Sequence, residues 1–356
     1  MLDDPDSDED PRAITRGSLG PDAPFARRLK KSIAAAALAP SIHNTQPWIF
    51  RVQVTPPGIA LWADHSRMLS RADPEGRQLM ISCGAAILNL RVELLAQGFG
   101  TRTEFFPSPR HPQHVATVLL TNDPSDVDSA QAVLASAIPK RFTSRSAFGA
   151  FELPAGLPGR LMSSAAAEGV ECSLVTSSQT HTVARLTRNA HRRQLVDTGL
   201  LRELAAWTRP ESSGARDGVV FEAVGRDSTV NYSAAFPQRD FALGRELGRR
   251  DALEIDEEPT LVVLATTADD RTAWLSTGLA LERILLTAAK ERVMASYLNQ
   301  SIEVASLRPR LRDALDLAGY PQLVLRIGTP AEYRQPVSPR RPFSDFYRGP
   351  VPEIRV

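Results

Sequence analysis

Three short segments hold most of the residues whose types and spacing suit chemistry. Ala39-Pro40-Ser41-Ile42-His43-Asn44-Thr45-Gln46-Pro47-Trp48 crowds hydroxyl, imidazole and amide groups into one run. Ser41, Asn44 and Gln46 offer donors and acceptors that match the polar edges of a planar heterocycle. The same residues also suit a helix C-terminal turn that satisfies its own backbone. Arg141-Phe142-Thr143-Ser144-Arg145 sets two guanidiniums four positions apart with hydroxyls between them. That is a pattern for gripping a phosphate, or a solvated arginine pair on a loop. Arg340-Arg341-Pro342 near the C-terminus reads as a second clamp or as a plain basic tail.

Other chemistries find less support. The two cysteines, Cys83 and Cys172, have no metal-type spacing and read as buried free thiols. The six histidines (His43, His65, His111, His114, His181 and His191) form no HExxH or paired spacing, so no metal is expected. A net charge of +1 gives no basic face for nucleic acid. Apolar residues make up 42% of the 356, enough for a sizeable core. No purely apolar run reaches the roughly 20 residues of a membrane span. The acidic start, with Asp3, Asp4, Asp6, Asp8, Glu9 and Asp10, has no apolar segment after it. It reads as a disordered tail rather than a secretory signal, which points to the cytoplasm.

The elements that must position these segments follow from periodicity and breakers. Ala26 to Ala39 is an alanine-rich helix that Pro40 stops. Trp48 to Val54 and Ile59 to Ala63 read as a β-hairpin around Pro56-Pro57-Gly58. Glu75 to Gln97 is a long helix, apolar nearly all round and therefore a core helix. Strands follow at 101–106 and 115–120. The second part repeats the outline loosely: a helix over 126–138, a helix over 157–168, a strand over 170–175, and a helical stretch over 181–208. An irregular run from Pro210 to Glu258 leads to a strand over 260–266, a second long helix over 269–293 and a last strand over 321–327. CGAAILNLRVELLAQGFG from Cys83 can be laid over TGLALERILLTAAKERVM from Thr277. Two copies of one α+β unit in tandem would produce that match.

Together the segments carry a resemblance. APSIHNTQPW resembles the APSxxNxQPW segment of the nitroreductase superfamily. RFTSR resembles its RxSxR phosphate segment, and RRPFSD its closing basic segment. The order is reversed relative to ordinary nitroreductases, and the chain is about double their length. That arrangement, with GAAILNL, MASYLNQSIEV and GYPQLVLRIG, resembles the Acg family of double-length nitroreductase-like proteins over roughly Arg27 to Asp345.

The resemblance implies a nitroreductase-like α+β fold of two tandem related halves forming a pseudo-dimer. The parts would be a tail (1–22), a first half (23–125), a second half (126–345) and a C-terminal tail (346–356). It implies one complete FMN site, with Arg141, Thr143, Ser144 and Arg145 at the phosphate or ribityl, helped by Arg340 and Arg341. Ser41, Asn44 and Gln46 would reach the flavin from the other half, and His43 would stand near the ring face. Ala295 and Ser296 fall where the superfamily puts a backbone N–H at the flavin N5. The stretch 210–258 would be a lid, with Asn231, Tyr232 and Phe236 as its contacts to the ring.

The implied activity passes electrons from NAD(P)H through FMN to a small nitroaromatic, quinone or enone. No protein nucleophile or metal is needed, because the cofactor carries the chemistry. The alternatives are a flavin store with little turnover and a flavin-dependent dehydrogenase in biosynthesis. The chain would be a monomer containing its pseudo-dimer, or a homodimer.

Overall fold

Asp10-Pro11 is a helix-start signal: a capping carboxylate, then a residue that needs no amide hydrogen at the first position. It opens α1 (Pro11–Thr15), where the Asp10 carboxylate accepts from the Arg12 amide at 2.9 Å. The computed structural model describes residues 9–16, 19, 23–145, 148–149, 152–220, 260–331, 333, 335 and 338–349. Residues 9–16 differ from the expectation of a tail outside the fold. Pro11 is buried and α1 packs on α2 (Phe25–Ala36).

The first half is built around one sheet. α2 buries Leu29, Ile33 and the alanines that follow, and it leads through a single helical turn at Ile42–Asn44 to β1 (Trp48–Gln53). β2 (Gly58–Ala63) returns antiparallel with Trp48 opposite Ala63. α3 (Arg77–Ala96) is anchored at its start by Asp73, whose carboxylate accepts from the amides of Gln78 (2.9 Å) and Leu79 (2.8 Å). Among the described residues α3 alone is long and apolar enough to cross a bilayer, and most of it is buried inside the protein. β3 (Gly100–Phe105) and β4 (His114–Thr121) complete an antiparallel sheet in the order β1-β2-β4-β3.

The second half repeats that order. After α4 (Ser129–Ala132) and a 3-10 run over Val133–Lys140 come α5 (Leu157–Ala166) and β5 (Glu171–Leu174). The long connection holds α6 (Ser177–Val196), α7 (Thr198–Ala206) and the paired β6 (Thr208–Arg209) and β7 (Val219–Val220). Then come β8 (Thr260–Thr266), α8 (Arg271–Lys290), β9 (Met294–Tyr297), α9 (Gln300–Glu303), α10 (Arg308–Ala314), β10 (Tyr320–Gly328) and α11 (Phe343–Phe346). The sheet order is β5-β8-β10-β9, again wholly antiparallel. Counted within its own half, each sheet runs first, second, fourth, third. In each half a long helix follows the second strand.

Those two helices, α3 and α8, cross at glycines. A Cβ on Gly84 would stand 2.1 Å from the Leu275 carbonyl oxygen, and one on Gly278 would stand 2.0 Å from that of Ile81. Only hydrogen fits there, so the backbones touch.

Two helices expected from the sequence are broken. The run over 181–208 stops at Asp197, which is extended (ψ 96°) and caps α7 with its own side chain. The run over 126–138 is short α and then 3-10, with Asp128 capping α4 and Pro139 inside the last turn. Both cysteines are buried free thiols. Burial pushes the Cys172 thiol up to about 12 and raises that of Cys83 as well.

Candidate functional site

The carbonyls that end α2 have no partners within the helix. Leu38 O accepts from Arg141 Nη2 (3.2 Å) and from Arg340 Nη2 (3.0 Å). This one oxygen therefore joins the arginine-rich segment at 141–145 to the C-terminal arginine pair. Behind Arg141 lies Glu282 of α8, with 0% of its surface exposed. Their Nε–Oε1 separation of 3.4 Å makes an ion pair that is not aligned as a hydrogen bond. Burial raises the Glu282 carboxyl to about 7, with Arg141 pulling the other way.

Leu38, Arg141 and Arg340 line a cavity of about 740 Å³, with Glu282 behind that wall. Its wall draws on both halves: the end of α2 with the loop after it, the start of α3, residues 138–145, and the β9–α9 turn. Ser41, His43, Asn44, Arg141, Thr143, Arg145, Ser296 and Arg340 all line it. Gln46, Ser144, Ala295 and Arg341 stand behind the lining. Thr143 bridges to Ala295, and the Ser144 amide donates to Ala295 O at 3.0 Å, which fixes the arginine segment against β9. Ser296 Oγ accepts from Arg326 Nε at 3.1 Å. Burial lowers the Arg145 guanidinium to about 10 and raises the Tyr297 hydroxyl to about 12. The Tyr297 hydroxyl is buried without a hydrogen-bond partner among the described residues.

The Pro40–Pro47 loop is held in a costly shape. His43, Asn44 and Gln46 have φ of 45°, 55° and 51°. Positive φ without glycine costs of order 1 kcal/mol or more per residue, so surrounding bonds must enforce it. Asn44 Nδ2 donates to Gly218 O and Pro339 O, both at 3.0 Å, while Oδ1 accepts from Arg340 Nη1 at 3.1 Å. Gln46, with 0% exposure, donates to Arg216 O at 2.9 Å and accepts the Arg341 amide at 2.9 Å. Ser41 Oγ accepts the Gln46 amide at 2.9 Å. Both amide side chains thus lock the loop to residues 216–218 and 339–341. The loop satisfies part of its own backbone, as a capping turn would, and also forms cavity wall.

Residues outside the three segments also reach the cavity, among them Arg12 of α1, Gln78 and Ser82 of α3, and Gln300 and Glu303 of α9. Arg12 follows the Asp10-Pro11 helix start, and Gln300 and Glu303 lie within MASYLNQSIEV, whose resemblance assigned them no role. Gln78 and Ser82 are scattered polar positions on a core helix. Asn231, Tyr232 and Phe236, with all of 221–259, lie outside the described residues. Among the described residues no cluster of His, Cys, Asp and Glu is arranged to hold a metal.

Fold and cavity define an α+β protein of two four-stranded sheets with an arginine-rich cavity between related halves. No family model matches the chain. It is 32% identical over 336 residues to a Mycobacterium tuberculosis protein named "Putative NAD(P)H nitroreductase", covering 93% of this chain and 94% of that one. It is 28% identical over 326 residues to a protein named "Putative NAD(P)H nitroreductase acg" from the same organism, covering 90% and 95%. The chain belongs to this family of Acg-type, nitroreductase-like proteins. Among solved structures it is similar to one described as a "putative nitroreductase" from Anabaena variabilis (TM-score 0.44, 10% identity, covering 90% of this chain and 91% of that one). It is also similar to an FMN and NADPH-dependent nitroreductase from Sphigopyxis sp. strain HMH (TM-score 0.33, 17% identity, covering 63% and 94%). At scores this low the structural likeness carries no argument of its own.

Proposed function

We propose that the cavity holds FMN and that the protein is an oxidoreductase of nitroreductase type. It would take electrons from NAD(P)H and pass them to a small electron-poor acceptor such as a nitroaromatic, quinone or enone. The observation that carries this reading is the pair of guanidiniums on Leu38 O at the rim of a cavity of about 740 Å³. Buried guanidiniums of like charge repel and are costly unless an anion joins them. Arg340 Nε, buried without a hydrogen-bond partner among the described residues, fits a phosphate as that anion. The names of the family members point to the same donor and chemistry.

FMN, when bound, supplies reversible acceptance and donation of electrons. The chain's own residues bind and orient. Arg141 and Arg340, with Thr143 and Arg145, would hold the phosphate end. The Ser41–Asn44 loop would form one wall of the ring pocket, held stiff by Gln46 and Arg341 from behind. The Ala295–Ser296 strand, pinned between β10 and residue 143, would present backbone to the flavin. The two halves would take the places of the two subunits in an ordinary nitroreductase.

The test is the visible spectrum of the purified protein before and after anaerobic NADPH. Flavin bands that bleach support the oxidoreductase. Bands that persist favour a flavin-holding protein with little turnover. Protein without flavin that takes up none from added FMN would overturn the reading.

A further inference from the structure

Arg12 stands apart in sequence from every segment given to the cofactor, yet α1 delivers it to the same end of the cavity. The Asp10 cap and the buried Pro11 fix the helix on the body. Arg12 Nη2 then donates to Ser338 O. That carbonyl also accepts Arg340 Nη1 at 3.4 Å, and Arg340 Nη2 goes on to Leu38 O, which Arg141 shares. Three guanidiniums, Arg12, Arg340 and Arg141, are thus joined in a row through two shared oxygens. Two nitrogens on one oxygen are within about 6 Å of each other at ordinary hydrogen-bond lengths.

Two carboxylates face this row. Glu282 is paired with Arg141, and Asp10 stands 3.8 Å from both Arg12 and Arg216. Three cations brought this close, with Arg141 and Arg340 buried and Arg12 half-buried, favour a doubly charged anion that bridges them. The repulsion is visible at Arg340, whose guanidinium is lowered first by burial and then by Arg12 and Arg141.

We propose that Arg12 is a binding residue for the cofactor's phosphomonoester, and that α1 is a clasp completing the phosphate site from the N-terminus. This rests on the reading that the cavity takes FMN. The ligand chemistry is a terminal phosphate dianion. Riboflavin, which lacks it, separates a contact to phosphate from a general effect on the pocket.

The experiment titrates flavin fluorescence with FMN and with riboflavin, on the full chain and on Arg12→Ala and Arg12→Gln. The glutamine keeps a donor for Ser338 O without the charge, so it tests the proposal even if the alanine variant folds poorly. Loss of a charge-assisted hydrogen bond should weaken FMN about ten- to a hundredfold in both variants. Riboflavin affinity should stay within about twofold. Equal losses for FMN and riboflavin would overturn the proposal, making Arg12 a packing residue. Unchanged FMN affinity would overturn it as well. Wild-type protein that binds neither flavin would sink the FMN reading itself, a result distinct from either failure of Arg12.

Discussion

Glu282 sits fully buried beneath Arg141, facing Arg340, Tyr297 and Asn89 as well. Its carboxyl is raised from 4.5 to about 7, so the folded state holds this proton more tightly than the unfolded chain does. The stability it contributes is fully present below about pH 4.5 and is lost as pH rises through about 7. Glu282→Gln, which is neutral at every pH, should lack that slope. Urea midpoints of both proteins between pH 4.5 and 8 check this: the wild type should lose stability relative to the variant as pH rises. A constant difference between them would refute it. Arg141→Ala leaves Glu282 buried without its partner and removes a residue proposed to hold the phosphate. It should cost about 3 kcal/mol of stability and abolish retention of FMN through gel filtration. Much of this site was legible from residue types, since hydroxyl, amide and guanidinium clusters are visible in the letters. What was not legible is how Asn44 and Gln46 use their amides. Their amide nitrogens donate to backbone carbonyls at 216, 218 and 339, which carry no side-chain signature.

At the scale of elements, the crossing of α3 and α8 makes the sharpest demand. Both glycines lie where a methyl group would meet backbone, which has no rotamer by which to retreat. Gly84→Ala or Gly278→Ala should destabilise by about 3 kcal/mol or more, at or beyond the upper end of ordinary overpacking. Gly159 in α5 has nothing within 4 Å of its would-be Cβ. Gly159→Ala should therefore stabilise by about 0.5–1 kcal/mol through the unfolded chain's lost freedom. Chemical denaturation of the three variants tests both signs together. The long helices and most strands were readable because a run apolar on every face, or a β-branched run between breakers, has few other solutions. β9 went unread because four residues, Met294–Tyr297, are too few to show a period. The breaks at Asp197 and before Pro139 went unread because capping competes with continuation, and the helical pattern on either side masks the stop.

At the scale of the molecule, the match laid over Cys83 and Thr277 becomes physical contact. Gly84 and Gly278 occupy the same place in the two runs and touch each other, as matched residues do across a two-fold axis. With β3 corresponding to β9, the half-for-half counterpart of the large cavity is a smaller hollow of about 460 Å³ lined by Arg102, Thr103 and Ser276. These stand where Ser296, Tyr297 and Ser82 stand in the large one. The hollow is built differently at the helix end. Two residues beyond α2, Leu38 offers a carbonyl to arginines. Two residues beyond α5, Glu168 instead holds Arg91 (3.1 Å) and Arg283 (2.7 Å) in ion pairs. Asp126 and Asp128 add further negative lining. α5 also runs into β5 through a short turn, so nothing there corresponds to the Pro40–Pro47 loop. A phosphate would meet arginines already neutralised by Glu168 and Asp126, so the hollow offers it little net attraction. Equilibrium titration should therefore saturate at one FMN per chain, and Glu168→Ala should leave that number unchanged because the loop is still missing. Two equivalents bound by the wild-type chain would show that the hollow retains a working site and that the halves diverged in sequence without diverging in use.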